Sequence, residues 1–163
     1  MLRGLFSKQK KRKKNIFAIQ AGSVLDITKV PDVMFSDKIL GDGVAIIPEG
    51  KNIYSPVTGM VDMISNTLHA YGITTKDGVD ILIHIGLETV ELKGQGFKPK
   101  VKVGDKVRAG DLLVEVDFEM LKEKGYKIIT PVIITNMDSI KEIEIHLEKS
   151  LGKNTVIIEY VKR

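Results

Sequence analysis

The chain contains no cysteine and no tryptophan among its 163 residues. Without cysteine there is no disulfide framework, no thiolate metal site and no thiol nucleophile, so any nucleophile must be another side chain. Long hydrophobic runs are missing too. No stretch of eighteen apolar residues and no apolar segment ending in a small-residue cleavage site occurs, which predicts neither a membrane span nor a secretory leader and gives a cytoplasmic expectation. Acidic residues are absent from positions 1–14, which hold seven of the 25 lysines and arginines. The remaining chain carries 18 basic against 21 acidic residues, so the formal net charge of +4 belongs to the terminus and the body is mildly acidic. A nucleic-acid binder clusters basic residues on its folded surface, so this distribution argues against a nucleic-acid partner.

What is present suits one domain, residues 15–163, with 43% apolar residues and 15 glycines. Residues 1–14 read as a disordered basic tail, because such a block of like charge repels itself too strongly to pack. Leu2, Leu5 and Phe6 beside six basic residues suit either weak contact with an anionic bilayer, at roughly 1 kcal/mol per basic residue, or a purely solubilising role. From Asn15 onward, short β-favouring runs are broken by Gly41-Asp42-Gly43, Pro48-Glu49-Gly50, Asp77-Gly78 and Gly104-Asp105. The clearest strands are 44–47, 59–64, 69–75, 79–85, 111–117 and 155–161, an all-β pattern spaced for an antiparallel sandwich or barrel. Residues 117–124 suit one or two helical turns. In 139–151, Ile143 and Ile145 alternate as in a strand while Ile140, Ile143 and Leu147 suit a helix.

Two of the three histidines fall on one hairpin, from His69 to Gly86, turning at Asp77-Gly78. A two-residue turn pairs Lys76 with Val79, Tyr71 with His84 and His69 with Gly86. The histidines then become diagonal neighbours on one face, about 7–8 Å apart at the backbone. That register puts Val79, Ile81, Ile83 and Ile85 on the core face and Tyr71, Ile73, Leu82 and His84 on the other, and a one-residue slip would part the histidines. If the second face were buried, both rings would be structural. A zinc hydrolase needs a third ligand, and no His-x-His, His-Glu-x-x-His or cysteine cluster exists. A serine triad needs a nucleophile elbow, and no Gly-x-Ser-x-Gly occurs. Histidine as nucleophile fits: one ring takes a phosphoryl group while its other nitrogen's proton is held, and its neighbour donates to the phosphoryl oxygens.

The ordered set Val30-Pro31-Asp32-Val33-Met34-Phe35, Gly41-Asp42-Gly43-Val44-Ala45-Ile46, Ser55-Pro56-Val57-Thr58-Gly59, Val79-Asp80-Ile81-Leu82-Ile83-His84-Ile85-Gly86, Thr89-Val90-Glu91-Leu92-Lys93-Gly94, Lys102-Val103-Gly104-Asp105 and Thr130-Pro131-Val132-Ile133-Ile134-Thr135-Asn136-Met137-Asp138 resembles the glucose-type IIA component of the bacterial phosphoenolpyruvate-dependent sugar phosphotransferase system. The likeness runs from about Ala21 to the C-terminus. Single segments also occur in biotinyl and lipoyl domains of related β-hybrid fold, but the modifiable lysine of those carriers is not visible here.

The resemblance implies a barrel-sandwich hybrid (the duplicated hybrid motif) with short helical turns. It implies a phosphotransferase that needs no cofactor. His84 would accept phosphate at Nε2 from the histidine phosphocarrier protein and pass it to the IIB domain of a glucose-family sugar permease. His69 would support the phosphoryl group, the Thr67 hydroxyl would orient that ring, and the Gly86 carbonyl would hold the Nδ1 proton of His84. Asp32 and Glu88 would meet basic residues of the phosphocarrier, and Met34, Phe35, Ile39 and Leu82 would form an apolar docking rim. Zinc at a partner interface, with His69 and His84 as two ligands, is a further implication. A rival role is a regulatory binding module whose docking is switched by phosphorylation of His84. The sequence departs from the family pattern at Leu68, where asparagine is expected, at Ser65 and Leu82, which replace aromatics, and at Glu88, which replaces aspartate. His146 lies outside every matching motif and reads as a surface or helix residue.

Overall fold

The computed structural model describes residues 12–150 and 152–163. Thirteen strands are described: β1 (Lys13–Phe17), β2 (Gly22–Asp26), β3 (Asp42–Pro48), β4 (Asn52–Tyr54), β5 (Gly59–Ile64), β6 (Ala70–Thr75), β7 (Asp80–His84), β8 (Phe97–Pro99), β9 (Lys106–Val107), β10 (Leu112–Val116), β11 (Thr130–Ile134), β12 (Ile140–Ile145) and β13 (Val156–Lys162). Two short helices, α1 (Val33–Ser36) and α2 (Phe118–Glu123), and three single 3-10 turns lie between these strands among the described residues. The strands form a seven-stranded sheet in the order β2-β3-β11-β7-β6-β5-β9 and two three-stranded sheets, β4-β10-β8 and β1-β13-β12. Every ladder is antiparallel. The all-β expectation and its sandwich of antiparallel sheets are what the chain adopts.

Alternation along the central strands divides the interior in two. Val44 and Ile46 of β3, Ile81 and Ile83 of β7, and Val132 and Ile134 of β11 face the main core, which the two small sheets close with Ile53, Leu113, Val114, Ile157, Ile158 and Tyr160. Ala45, Leu82 and Ile133, one residue out of phase, face a second cluster with Ile27, Val30 and Phe35. The segment from Ile27 to Ser36 therefore caps the outer face of the large sheet. Two Asx caps fold it locally: Asp26 accepts from the Thr28 N–H and Asp32 from the Met34 N–H, each at 2.9 Å. His84 ends β7 beside this cap.

Two expectations need correction, and one open alternative is decided. Lys13 and Lys14, assigned to the tail, open β1 and pair with Val161 and Tyr160, because the flanking Ile16 is a core residue that draws its strand onto the sheet. The rest of the expected tail, and its membrane contact, lies on residues 1–11, outside those described. The open segment 139–151 is a strand, β12, over Ile140–Ile145. The hairpin loop holds three residues instead of two: Thr75 N–H donates to Val79 O at 2.9 Å, and Gly78 takes a left-handed φ of 84°. The ladder is consequently one residue out from the expected register, with Ala70 opposite His84 and Tyr71 opposite Ile83. Tyr71 and Ile73 thus lie in the main core at 0% and 1% exposure, not on the histidine face.

Candidate functional site

In this ladder His69 sits across from Ile85, whose N–H donates to the His69 carbonyl at 2.8 Å. Strict alternation would turn His69 away from His84, yet the ring centroids lie 4.9 Å apart with planes at 82°. The chain leaves strand geometry just before β6. Leu68 has a left-handed φ of 64°, and Thr67 Oγ1 lies 2.8 Å from His69 Nδ1, anchoring the ring on the His84 side. Ser65 Oγ lies 3.3 Å from the same nitrogen and accepts the Ala70 N–H at 3.1 Å.

His84 is held from the other direction. Its Nδ1 lies 2.8 Å from the Gly86 carbonyl oxygen, an acceptor only, which places the proton on Nδ1 and the lone pair on Nε2. Gly86 has φ 71°, and a Cβ there would stand 2.7 Å from Thr89 Cγ2 and 2.9 Å from Lys127 O, so only glycine fits. Thr89 Oγ1 donates to Ile85 O at 2.6 Å, and Leu87 N–H to Lys127 O at 3.0 Å, fixing the loop that carries the carbonyl.

Both rings are desolvated. His69 is 8% exposed, and burial first, then the neighbouring His84, lowers its pKa to about 4. Burial also lowers that of His84, opposed by the bond to Gly86 and the charge of Asp32. At neutral pH both imidazoles are uncharged, and neither Nε2 has a hydrogen-bond partner among the described residues. A neutral ring with its far proton fixed, its near lone pair free and a second imidazole in contact is equipped for nucleophilic attack on phosphorus.

These geometries are matched by relationship. Residues 14–140 match the family described as phosphoenolpyruvate-dependent sugar phosphotransferase system, EIIA 1. The chain belongs to this family. It is 44% identical to the PTS system glucose-specific EIIA component of Buchnera aphidicola, over 90% of this chain and 91% of that one. It is 41% identical to part of the PTS system glucose-specific EIICBA component of Staphylococcus carnosus, covering 88% of this chain and 22% of that protein. The solved structure of glucose permease IIA from Mycoplasma capricolum superposes with a TM-score of 0.85 at 36% identity, over 90% of this chain and 95% of the other. This EIIA chain is a phosphoryl-transfer component of a sugar uptake system.

Around the EIIA histidines the expected rim divides. Met34 and Ile39 are 40% and 58% exposed, Leu82 is half-buried, Asp32 is half-buried and Glu88 is exposed. Phe35 is not on the rim: at 3% exposure it packs in the second core with its ring centroid 5.2 Å from that of His84, an apolar wall beside that ring. Its place follows from α1, whose single turn directs Phe35 inward and Met34 outward. Among the described residues no third His, Asp or Glu joins His69 and His84 in a group that could hold a metal ion. His146 follows β12, where its Nε2 pairs with Glu159 at 3.0 Å. Sequence reasoning gave no role to Ser65, Thr89 and Thr130, the last with its Oγ1 3.4 Å from the Gly86 nitrogen. The available signal was the hydroxyl spacing: Ser65 and Thr67 stand four and two residues before His69.

Proposed function

We propose that this EIIA chain carries its phosphoryl group on His84 Nε2. The observation that supports it best is the His84 Nδ1–Gly86 O hydrogen bond, which leaves the opposite nitrogen as a free lone pair beside a second imidazole. The donor is the histidine phosphocarrier protein. The Nε2 lone pair attacks its phosphorus, an N–P bond forms on His84, and the donor's N–P bond breaks, its electron pair returning to the donor imidazole. The acceptor is the IIB domain of a glucose-family permease, whose cysteine sulfur attacks in turn and releases neutral His84. Asp32, Met34, Ile39, Leu82 and Glu88 meet both partners on one face, in the cytoplasm.

His69 acts as the electrophilic support. With Nδ1 accepting from Thr67, its proton lies on Nε2 and donates to a phosphoryl oxygen as charge shifts through the planar transition state. The apolar walls, Phe35 and Leu82 among them, limit water and so slow hydrolysis of the phosphohistidine. Zinc between the two histidines would need its remaining ligands from a partner, and would show as association lost on chelation. The decisive experiment mixes the protein with phosphoenolpyruvate, enzyme I and the phosphocarrier and follows acid-labile mass gain. Wild type and His69→Ala gain one phosphoryl group and His84→Ala gains none; equal gain by His84→Ala removes the assignment.

A further inference from the structure

Thr67 is not alone on the supporting ring. Ser65 Oγ approaches the same His69 Nδ1 at 3.3 Å, against 2.8 Å for Thr67 Oγ1. Its own position is fixed: Ser65 N–H donates to Ala70 O at 3.0 Å, Ala70 N–H donates back to Ser65 Oγ at 3.1 Å, and Leu68 N–H donates to Ser65 O at 2.9 Å. The serine oxygen is therefore already an acceptor, and its hydroxyl proton is uncommitted among the described residues.

Counting donors settles which tautomer this arrangement favours. If His69 Nδ1 carried the proton, it could donate to either oxygen, but neither the Thr67 nor the Ser65 hydroxyl proton would have an acceptor among the described residues. If Nδ1 carries the lone pair, both hydroxyl protons converge on it and nothing is left unpaired. We infer that Ser65 is a second positioning hydroxyl of the supporting histidine, which together with Thr67 holds His69 with Nδ1 as acceptor and its proton on Nε2, toward the phosphoryl group. The inference rests on the proposed roles of His84 and His69 and adds a residue to them. Its consequence is redundancy: loss of Thr67 leaves Ser65 in place to take over the same nitrogen.

The test compares wild type, Ser65→Ala, Thr67→Ala, the double variant and Ser65→Thr. Ring-nitrogen NMR on the unphosphorylated proteins reads the His69 tautomer directly, and single-turnover transfer from phosphorylated protein to a IIB domain reads function. Each single alanine variant is expected to lose a minor share of the Nε2–H tautomer and roughly two- to ten-fold in onward transfer, the scale of one hydrogen bond. The double variant is expected to lose more than the product of the two, since each hydroxyl covers for the other. Ser65→Thr restores both readouts. Wild-type ring shifts in Ser65→Ala, together with a double variant no worse than Thr67→Ala, would overturn the inference. So would a loss in Ser65→Ala that Ser65→Thr does not repair, which would mark a backbone role alone. Because the tautomer is read without phosphate, a failure of His84 to take phosphate would remove the relay and leave the hydroxyl pair standing.

Discussion

This protein holds two histidine clusters, and they differ in every respect that chemistry requires. On the large sheet, His69 and His84 are shielded from water, each Nδ1 is engaged by an uncharged oxygen, and each Nε2 is free. On the small sheet, His146 Nε2 is itself the bonded atom, paired with Glu159 at 3.0 Å, while Lys13 bridges Glu144 at 3.0 Å and Glu159 at 3.6 Å. The second cluster brings a histidine and two carboxylates within 4.8 Å, a set that could hold a metal ion, yet an ammonium already compensates the carboxylates, which face each other in the β12–β13 ladder. In the proposed relay a histidine becomes a nucleophile through neutral partners on the far nitrogen and an apolar wall. Charged partners in solvent make a surface hydrogen-bonded contact from the same side chain.

The largest expected contrast breaks the comparison outright. His84→Ala gains no acid-labile phosphate, whereas His146→Ala gains it at the wild-type rate; phosphate on His146 in an intact-mass and fragmentation measurement would erase the distinction. Next comes His69→Ala, which loads at His84 but passes phosphate on about 10²- to 10³-fold more slowly, the usual cost of removing a preorganised donor to a developing charge. Quench-flow transfer to a IIB domain measures it.

How far the sequence anticipated these clusters is instructive. The pairing of His69 with His84 was read from a two-residue turn, and the turn has three. The rings meet because Leu68 steps into left-handed backbone and Thr67 holds Nδ1, features that alternation cannot express. β11 escaped the list of clear strands because Pro131 interrupts its run. In the structure, pairing of β11 with β7 begins only at Val132, so at Pro131 only the β3 flank is laddered, and the strand stays central. Lys13 and Lys14 read as tail because charge dominates their neighbourhood, while the pairing of β1 with β13 spans almost the whole chain and leaves no local trace. The Thr67 hydroxyl and the Gly86 carbonyl were matched by family resemblance, and the burial of Phe35 required the cap from Ile27 to Ser36 to be seen in place.

Two stability measurements sharpen the electrostatic side. The pKa of His69 falls from 6.5 to about 4 in the folded chain through burial, so between those values the unfolded chain binds a proton that the folded chain refuses. Stability is therefore complete above pH 6.5 and declines as pH falls toward 4, by on the order of 3 kcal/mol in all. Urea titrations from pH 7.5 to 4 should show this slope in wild type and a shallower one in His69→Gln; equal slopes would mean that the ring is more hydrated than its exposure indicates. Gly86→Ala should cost about 1–3 kcal/mol from left-handed backbone and the clash with Thr89 and Lys127, and should slow loading by moving the carbonyl that fixes the His84 proton.

The smallest effect tests the other cluster on its own terms. His146, Glu159, Glu144 and Lys13 are half-buried or exposed, and ion pairs in that setting are weakened by screening and by the entropy of holding long side chains. Loss of the His146 ring should therefore change Tm by less than about 3 °C at moderate salt, and the difference should shrink further as salt is raised. One residue complicates this. Glu144 and Glu159 are directly opposite in the ladder, so removing Lys13 rather than His146 exposes like-charge repulsion between neighbours. Lys13→Ala is then expected to lower Tm more than His146→Ala, and the additional substitution Glu144→Gln to restore the loss. If His146→Ala were the more damaging of the two and salt had no influence, the cluster would owe its stability to packing of the imidazole, and its contrast with the phosphoryl-transfer site would be one of partners only, not of solvation.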